Sequence, residues 1–448
     1  MLPENPVKVL VVGGGGREHA ICWKLAQSPR LERLYCAPGN GGTAGLEKTE
    51  NVNLKVNDFA GIEKFSRENQ IDLIVIGPDN PLADGIVDHL EGAGLRVFGP
   101  TRAGAQLEAS KAFSKNFMVK HGIPTARHYI TSSHDDAIDF VRENDWARVV
   151  KVDGLALGKG VFVCDTLTET LDALQIIFRE NRFGDSGKSV VIEERLQGEE
   201  MSVLMFCDGK TLALMPPSQD HKRRFDGDRG PNTGGMGVFA PVELYSRCQQ
   251  EVQNEVVAPL QKALDAGSIN FKGILYAGVL VVRESEAAAD NGSHKHASPW
   301  QSQLKPYVLE FNARFGDPET QVILPLLTSD LLPILWACTE KDLANQEIEW
   351  SQSAACCVIA CAESYPEGSS QGEEIRIGDT KSTIIFHAGT TLSDNKLLSA
   401  GGRVLGVTAL GHNLNDAIDR AYEGIKAVSF KGMDYRKDIG RRALSGCP

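Results

Sequence analysis

Residues 7 to 27 restrict the fold more than any other stretch. VKVLVV is an apolar strand, GGGGREHA a glycine run, and the helix after it carries Ile21, Cys22, Leu25 and Ala26 on one side. Such a strand-loop-helix unit opens a doubly wound parallel sheet. Its loop offers bare backbone N–H groups at a helix N-terminus, a setting for phosphate. Counted from Gly13 and Gly15, the third glycine of a dinucleotide fingerprint falls on Glu18, which weakens a nicotinamide or flavin reading. Arg17 and His19 add a cation and a donor, suited to a terminal monophosphate. A turn needed only for packing accounts for Gly15 and Gly16 but less well for those two side chains.

Two further strand ends carry polar loops, LYCAPGNGG at 34–42 and IDLIVIGPDNPLADG at 71–85. Ligands collect at the carboxyl ends of strands in open α/β sheets, so Asn40, Gly41, Asp79 and Asn80 become candidates for one site. RVFGPT at 96–101 closes this unit. A chain of 448 residues is too long for one core and implies three or four domains. Its formal charge of −12, with no long basic run, argues against a general nucleic-acid binder. Anions would then be held by local amides and a few placed cations. The start, MLPENPVKVLVVGG, has the features of neither a secretory signal nor a membrane span. The ten cysteines, Cys356, Cys357 and Cys361 in an apolar run among them, fit reduced thiols in a cytoplasmic protein.

From 102 the pattern is helical and ends at Gly122 and Pro124, with Lys111 and Lys115 on one face. Paired lysines are often only solvated. Here they precede KVDGLALGKGV, where Lys151 stands on a strand and Gly158, Lys159 and Gly160 form a flexible turn, a pattern able to fold a lid over phosphates. In SVVIEERLQGEEMSVLMFCDG, residues 189–209, two strands flank a polar corner. Glu193, Glu194, Arg195 and Leu196 could there read an adenine edge through the backbone, with Glu199 or Glu200 on ribose hydroxyls; surface charge is the competing account. SQDHKRRFDGDRGPNTGGMGVFAP, 218–241, is the longest irregular stretch, and its Asp220, His221, Lys222, Arg223, Asn232 and glycines favour function over disorder.

In YVLEFNARFGDPETQ, 307–321, Tyr307, Leu309 and Phe311 alternate with Val308, Glu310 and Asn312. On a strand, Glu310 and Asn312 share a face and are hard oxygen ligands suited to magnesium carried by nucleotide phosphates. Arg314 would place a phosphate-reading cation beside them. GILYAGVLVV at 273–282 pairs plausibly with this strand. The 284–305 insert between them, with His294 and His296, reads as a disordered hairpin tip. Strands at 354–362 and 382–387 and a helix from Leu414 follow.

In that order, these motifs resemble the ATP-grasp ligases. GGGGREHA, GPDNPLADG, SKAF, KVDGLALGKGV, IEERLQGEE, QDHKRRFDGDRGPNTGGMG, FNARFGDPETQ, FHAGT and GGRVLGV resemble the motifs of the glycinamide ribonucleotide synthetases, across nearly the whole chain. The resemblance implies an α/β fold: an N-terminal doubly wound parallel sheet domain (1–103), a two-part ATP-grasp nucleotide-binding core (104–340, with a lid at about 124–190), and a small α+β C-terminal domain (341–448). It implies ATP-dependent ligation of glycine to 5-phosphoribosylamine through glycyl phosphate, in purine biosynthesis. It places Lys111, Lys151, Gly158, Glu193, Glu194, Arg195, Leu196, Glu200, Arg223 and Asn232 at ATP. Glu310 and Asn312 would hold Mg²⁺ or Mn²⁺, with Arg314, Lys151 and Asp220 at the reacting groups. Gly15, Gly16, Arg17, His19, Asn40, Asp79, Asp220, Gly234 and Gly235 would face the other substrates. The family usually has Glu where Asp79 stands. A cytoplasmic monomer or weak dimer is expected, with neither nucleic acid nor membrane as partner and transient contact with the enzyme supplying phosphoribosylamine. The competitors are a carboxylase-type ATP-grasp enzyme acting on a biotin or aminoimidazole substrate, and a nucleotide-binding regulatory module.

Overall fold

The computed structural model describes residues 2–156, 159–284, 303–380 and 382–444. At the N-terminus five parallel strands run in the order Thr49–Asn51, Leu31–Pro38, Val7–Gly13, Leu73–Ile76, Val97–Phe98. The order reverses on either side of Val7–Gly13, so the glycine loop leaves the sheet at its switch point, where ligands bind in such folds. Both faces of that strand are buried, Val9 and Val11 on one side and Leu10 and Val12 on the other, as its unbroken apolar run requires.

The helical stretch after 102 divides in two. Arg102–Ala109 and Lys111–Lys120 are separated at Ser110, whose extended backbone ends the first helix. Its hydroxyl caps the second, accepting the Phe113 N–H at 3.0 Å and donating to Asp153 at 2.9 Å. Serine competes for backbone groups in this way and so belongs at helix starts. The break puts Lys111 in the first turn, directed at the turn after strand Ala147–Val152, where its Nζ donates to the Gly154 carbonyl at 3.3 Å.

Two antiparallel sheets follow. One, ordered His128–Thr131, Val190–Glu194, Ala147–Val152, Val161–Val163, is backed by helices His134–Glu143 and Leu167–Phe178 and has its own apolar core. The other is ordered Leu212–Leu214, Glu199–Cys207, Gly273–Glu284, Gln303–Asn312. The polar corner at 195–198 therefore joins two separate sheets. Most of the 284–305 insert, with His294 and His296, lies outside the described residues, as does Gly158.

Strict alternation along the Glu310 strand does not hold. Pairing runs Gly278 to Glu310 and then Val279 to Val308, so Leu309 is bulged out of register. Val308 and Phe311 both face the core, although three residues apart. A bulge re-aims the side chains that follow it, and here it leaves Glu310 and Asn312 on the open side.

The stretch from 218 to 241 is more regular than its composition predicts. Arg223–Phe225 and Arg229–Asn232 form a hairpin, and Gln219–Asp220 and Gly237–Ala240 enter the C-terminal sheet. That sheet continues through Ala354–Ala362, Arg403–Gly411 and Thr383–His387, with helix Leu414–Ile425 packed on it. Short polar strands with glycines carry little periodicity, and only their long-range partners reveal them. The nine described cysteines are free and buried. Among the described residues, no helix is long and apolar enough to cross a membrane.

Candidate functional site

Both antiparallel sheets, the 218–241 stretch and the N-terminal loops open onto one cleft of about 1290 Å³. Its walls include Arg17, Asp79, Lys111, Lys151, Glu193, Glu194, Arg195, Leu196, Glu200, Asp220, Arg223, Asn232, Gly234, Glu310, Asn312 and Arg314. The structure thus brings most of the residues singled out from sequence to one cavity. Gly15, Gly16, His19, Asn40 and Gly235 are not on its walls.

The electrostatic centre is a buried cluster around Glu193. One carboxylate oxygen meets Lys151 Nζ at 2.9 Å and the other meets Lys115 Nζ at 3.0 Å. Burial opposes ionisation of Glu193, yet the two lysines hold it below the usual carboxylate range. Lys115 shares its counterion, so burial pushes its ammonium down to about 8. It also donates to Thr125, which donates to the Val308 carbonyl. Lys111 is likewise lowered by burial. Three ammonium groups thus converge in the cleft, two of them sharing the single carboxylate of Glu193. The spacing of four from Lys111 marks Lys115 in the sequence, and its burial shows in three dimensions alone.

Glu310 stands opposite Gly278, where a Cβ would lie 3.4 Å from Glu310 Cγ. Burial would neutralise the carboxylate, but Lys222, Lys151, Lys111 and Arg314 keep it ionised. Lys222, not assigned a role from sequence, bridges Glu200 and Glu310, pairing closely with the first and lying 4.0 Å from the second. Asn312 Oδ1 accepts from Arg314 at 3.2 Å. No cluster of three or more His, Cys, Asp or Glu side chains able to hold a metal occurs among the described residues. One ionised carboxylate and one amide oxygen are too few to retain a divalent ion alone, but they fit a hard cation already ligated by nucleotide phosphates.

Along the hinge, Glu194 forms a bidentate pair with Arg127 at 2.8 and 2.9 Å, and Arg195 pairs with Asp165. Both side chains are thereby held in ion pairs, and Leu196 lies beside them on the cleft wall. In the 218–241 stretch, burial and Glu319 raise Asp220 well above the carboxylate range. Gly235 has φ +115°, and a Cβ there would lie 2.6 Å from an Asp220 oxygen, so only glycine lets the loop pass the acid. Arg223 donates to the Gly230 carbonyl and pairs across the hairpin with Asn232. Arg403, from the GGRVLGV motif, reaches the Gly234 and Asp317 carbonyls at 2.5 and 2.9 Å and the Asp317 carboxylate at 2.7 Å. It ties the C-terminal sheet to both loops.

At the glycine loop, Glu18 accepts the Gly15 N–H at 2.6 Å and an Arg17 N–H at 2.6 Å. The residue in the third-glycine position therefore caps the loop itself. Gly16 packs against Gln321 and Asp317. Asn40 is spent on the framework, donating to the Gly14, Gly15 and His387 carbonyls. His19 is 4% exposed, and its Nδ1 accepts the His387 N–H at 2.7 Å. Arg17 and Asp79 are the N-terminal side chains on the cleft wall.

Buried histidines set an acid limit on this assembly. Burial lowers His19 to about 3, and lowers His221 and His387 to about 4. Each stays neutral when folded but takes up a proton near 6.5 when unfolded, so stability is full above pH 6.5 and is lost as pH falls toward 4. Denaturant midpoints should decline progressively from pH 6.5 to 4.5. A midpoint constant over that range would contradict the assignment.

Known proteins resemble this chain along most of its length. Models of the phosphoribosylglycinamide synthetase N domain, ATP-grasp (A) domain and C domain match residues 7–108, 109–320 and 355–442. A phosphoribosylamine-glycine ligase of Caldanaerobacter subterraneus is 42% identical over 97% of this chain and 99% of its own. One from Nostoc is 45% identical, covering 98% and 100%. The trifunctional purine biosynthetic protein adenosine-3 of Gallus gallus is 46% identical over 98% of this chain, which spans 42% of that longer protein. A crystal structure of phosphoribosylamine-glycine ligase from Thermotoga maritima superimposes with a TM-score of 0.79 at 31% identity, covering 97% and 100%. A biotin carboxylase domain of Hydrogenobacter thermophilus, at 14% identity and a TM-score of 0.69, shares the fold. Matched by three family models over most of its length and by relatives 42–45% identical over nearly all of it, the chain belongs to the phosphoribosylglycinamide synthetase family.

Proposed function

We propose that this cleft divides the ligation of glycine to 5-phosphoribosylamine among the residues named above. The observation that carries this reading is the convergence of Lys111, Lys151, Arg314 and the Glu310–Asn312 strand in one cavity. The chain is an ATP-dependent ligase of purine biosynthesis that uses a divalent metal. A carboxylate is a poor acyl donor because its leaving group would be oxide. A glycine oxygen therefore attacks the γ-phosphorus of ATP and ADP leaves. The amine nitrogen then attacks the acyl carbon, phosphate departs, and the nitrogen loses a proton.

Charge and position are what the protein must supply. Lys111 and Lys151 neutralise ATP phosphates, and the backbone of 193–196 meets adenine with Leu196 against its face. Glu200 takes the ribose hydroxyls, and Arg223 and Asn232 border the nucleotide. Glu310 and Asn312 would hold the metal, Mg²⁺ or Mn²⁺, which would supply charge neutralisation at the phosphates. Arg314 faces the transferring phosphoryl. Asp220, whose carboxyl is pushed up by burial and by Glu319, borders the glycine side beside Gly234 and Gly235. Arg17 and Asp79 meet the phosphoribosyl group, with Gly15, Gly16, His19 and Asn40 shaping the loop around it. Glycyl phosphate hydrolyses in water, so the Lys151–Gly160 turn, with Gly158, closes over it. We assign the domains as 1–103, 104–340 and 341–448, in a cytoplasmic monomer or weak dimer that meets the supplier of phosphoribosylamine transiently.

The test is ADP release with ATP, Mg²⁺, glycine and freshly generated phosphoribosylamine, omitting each in turn. Release should require all four, stop with EDTA, and return with excess Mg²⁺ or Mn²⁺. Release indifferent to glycine would sink the substrate assignment.

A further inference from the structure

Arg314 is held by a carboxylate that no motif marks. Glu108 lies on helix Arg102–Ala109, far in sequence from the Glu310 strand, and its side chain is only 8% exposed. One of its oxygens meets Arg314 NH2 at 2.9 Å. The other accepts the Ala313 N–H at 2.7 Å. A single carboxylate thus fixes both the backbone just past Asn312 and the guanidinium one residue later. Arg314 NH2 also meets Asn312 Oδ1 at 3.2 Å and NH1 meets the Phe315 carbonyl at 3.3 Å, while its buried Nε–H has no partner.

We propose that Glu108 is a positioning residue for the ligase reaction, acting by holding the Arg314 guanidinium at the cleft wall. Three considerations support this. Arg314 lies among several carboxylates, with Asp79 and Glu319 also acting on it, and a long flexible cation could settle on any of them. An anchor held at two points, one oxygen on the guanidinium and the other on the Ala313 N–H, removes that freedom in advance, and pre-orientation of a charged donor is where such a group gains its effect. Asn312, its other side-chain partner, is assigned to the metal, so an anchor independent of Asn312 keeps Arg314 in place when that oxygen is engaged elsewhere. Finally, the carboxylate is retained at an electrostatic disadvantage. Burial and Asp79 raise the pKa of Glu108, countered by Arg314, the Ala313 N–H and Arg17. A role in packing alone would be met by an apolar side chain of similar size.

The proposal rests on the reading of Arg314 as facing the transferring phosphoryl, and a double-mutant cycle separates the two. Glu108→Gln keeps shape and acceptor but removes the charge. Its kcat should fall about 30-fold, with KM for ATP within about threefold of wild type. In an Arg314→Ala background the same change should cost less than about twofold, because the group it positions is gone. Glu108→Asp, one methylene too short to reach both partners, should fall between Gln and wild type, and it serves in the cycle should the Gln variant not fold. Normal kcat in Glu108→Gln, a loss confined to KM, or an undiminished loss in the Arg314→Ala background would overturn the proposal. An Arg314→Ala enzyme of normal rate would instead remove the reading of Arg314 on which it stands.

Discussion

Replacing Glu310 with alanine is expected to lower ADP formation that depends on glycine and amine by about a thousandfold, or about 4 kcal/mol of transition-state stabilisation. The carboxylate is kept ionised by Lys222, Lys151, Lys111 and Arg314. Without it, the donor set for a phosphate-borne metal shrinks to one amide oxygen. Nucleotide binding should respond in the opposite sense. The cations remain and a negative charge near the phosphates is gone, so ATP affinity measured in EDTA should hold or rise. Glu310→Gln should retain more activity than alanine, since its amide oxygen still ligates. Activity within tenfold of wild type in Glu310→Ala would contradict the assignment.

The second large effect concerns stability as well as catalysis. Glu193→Leu should destabilise the fold by roughly 3–5 kcal/mol, the usual consequence of breaking a buried ion pair on one side. Lys115 and Lys151 are 2% and 8% exposed and would both lose the counterion that they share. Triphosphate can substitute for that lost charge, so saturating ATP should raise the melting temperature of the variant by more than that of wild type. Equal ATP-induced shifts would show that the lysines do not face the nucleotide. An unchanged midpoint without ligand would show that the cluster is not held by charge.

Particular residues show how far the sequence could be read. The Val7–Gly13 strand, the glycine loop and the parallel sheet follow from an apolar run too continuous for a strand with a wet face. Glu310 and Asn312 share a face whichever way the strand is turned, because a period of two is a local property. The helix break at Ser110 was missed although a capping serine stood in plain view: helical periodicity continues through it, and the Asp153 that rewards the break is 43 residues away. The bulge at Leu309 was equally hidden, since a register shift belongs to a pair of strands.

What the residues determined alone was therefore local chemistry: a phosphate-suited loop, lysines on strand and helix, a hard-ligand pair, a donor-rich stretch, and through their order the family. Tertiary structure decided which charges answer each other. It set Glu193 between Lys115 and Lys151, put Lys222 between Glu200 and Glu310, and brought Arg403 onto Asp317 from 86 residues on. It also turned His19 and Asn40 inward to the framework. Burial and Coulomb energy depend on distances through space, and those are set by the packing of whole sheets rather than by spacing along the chain.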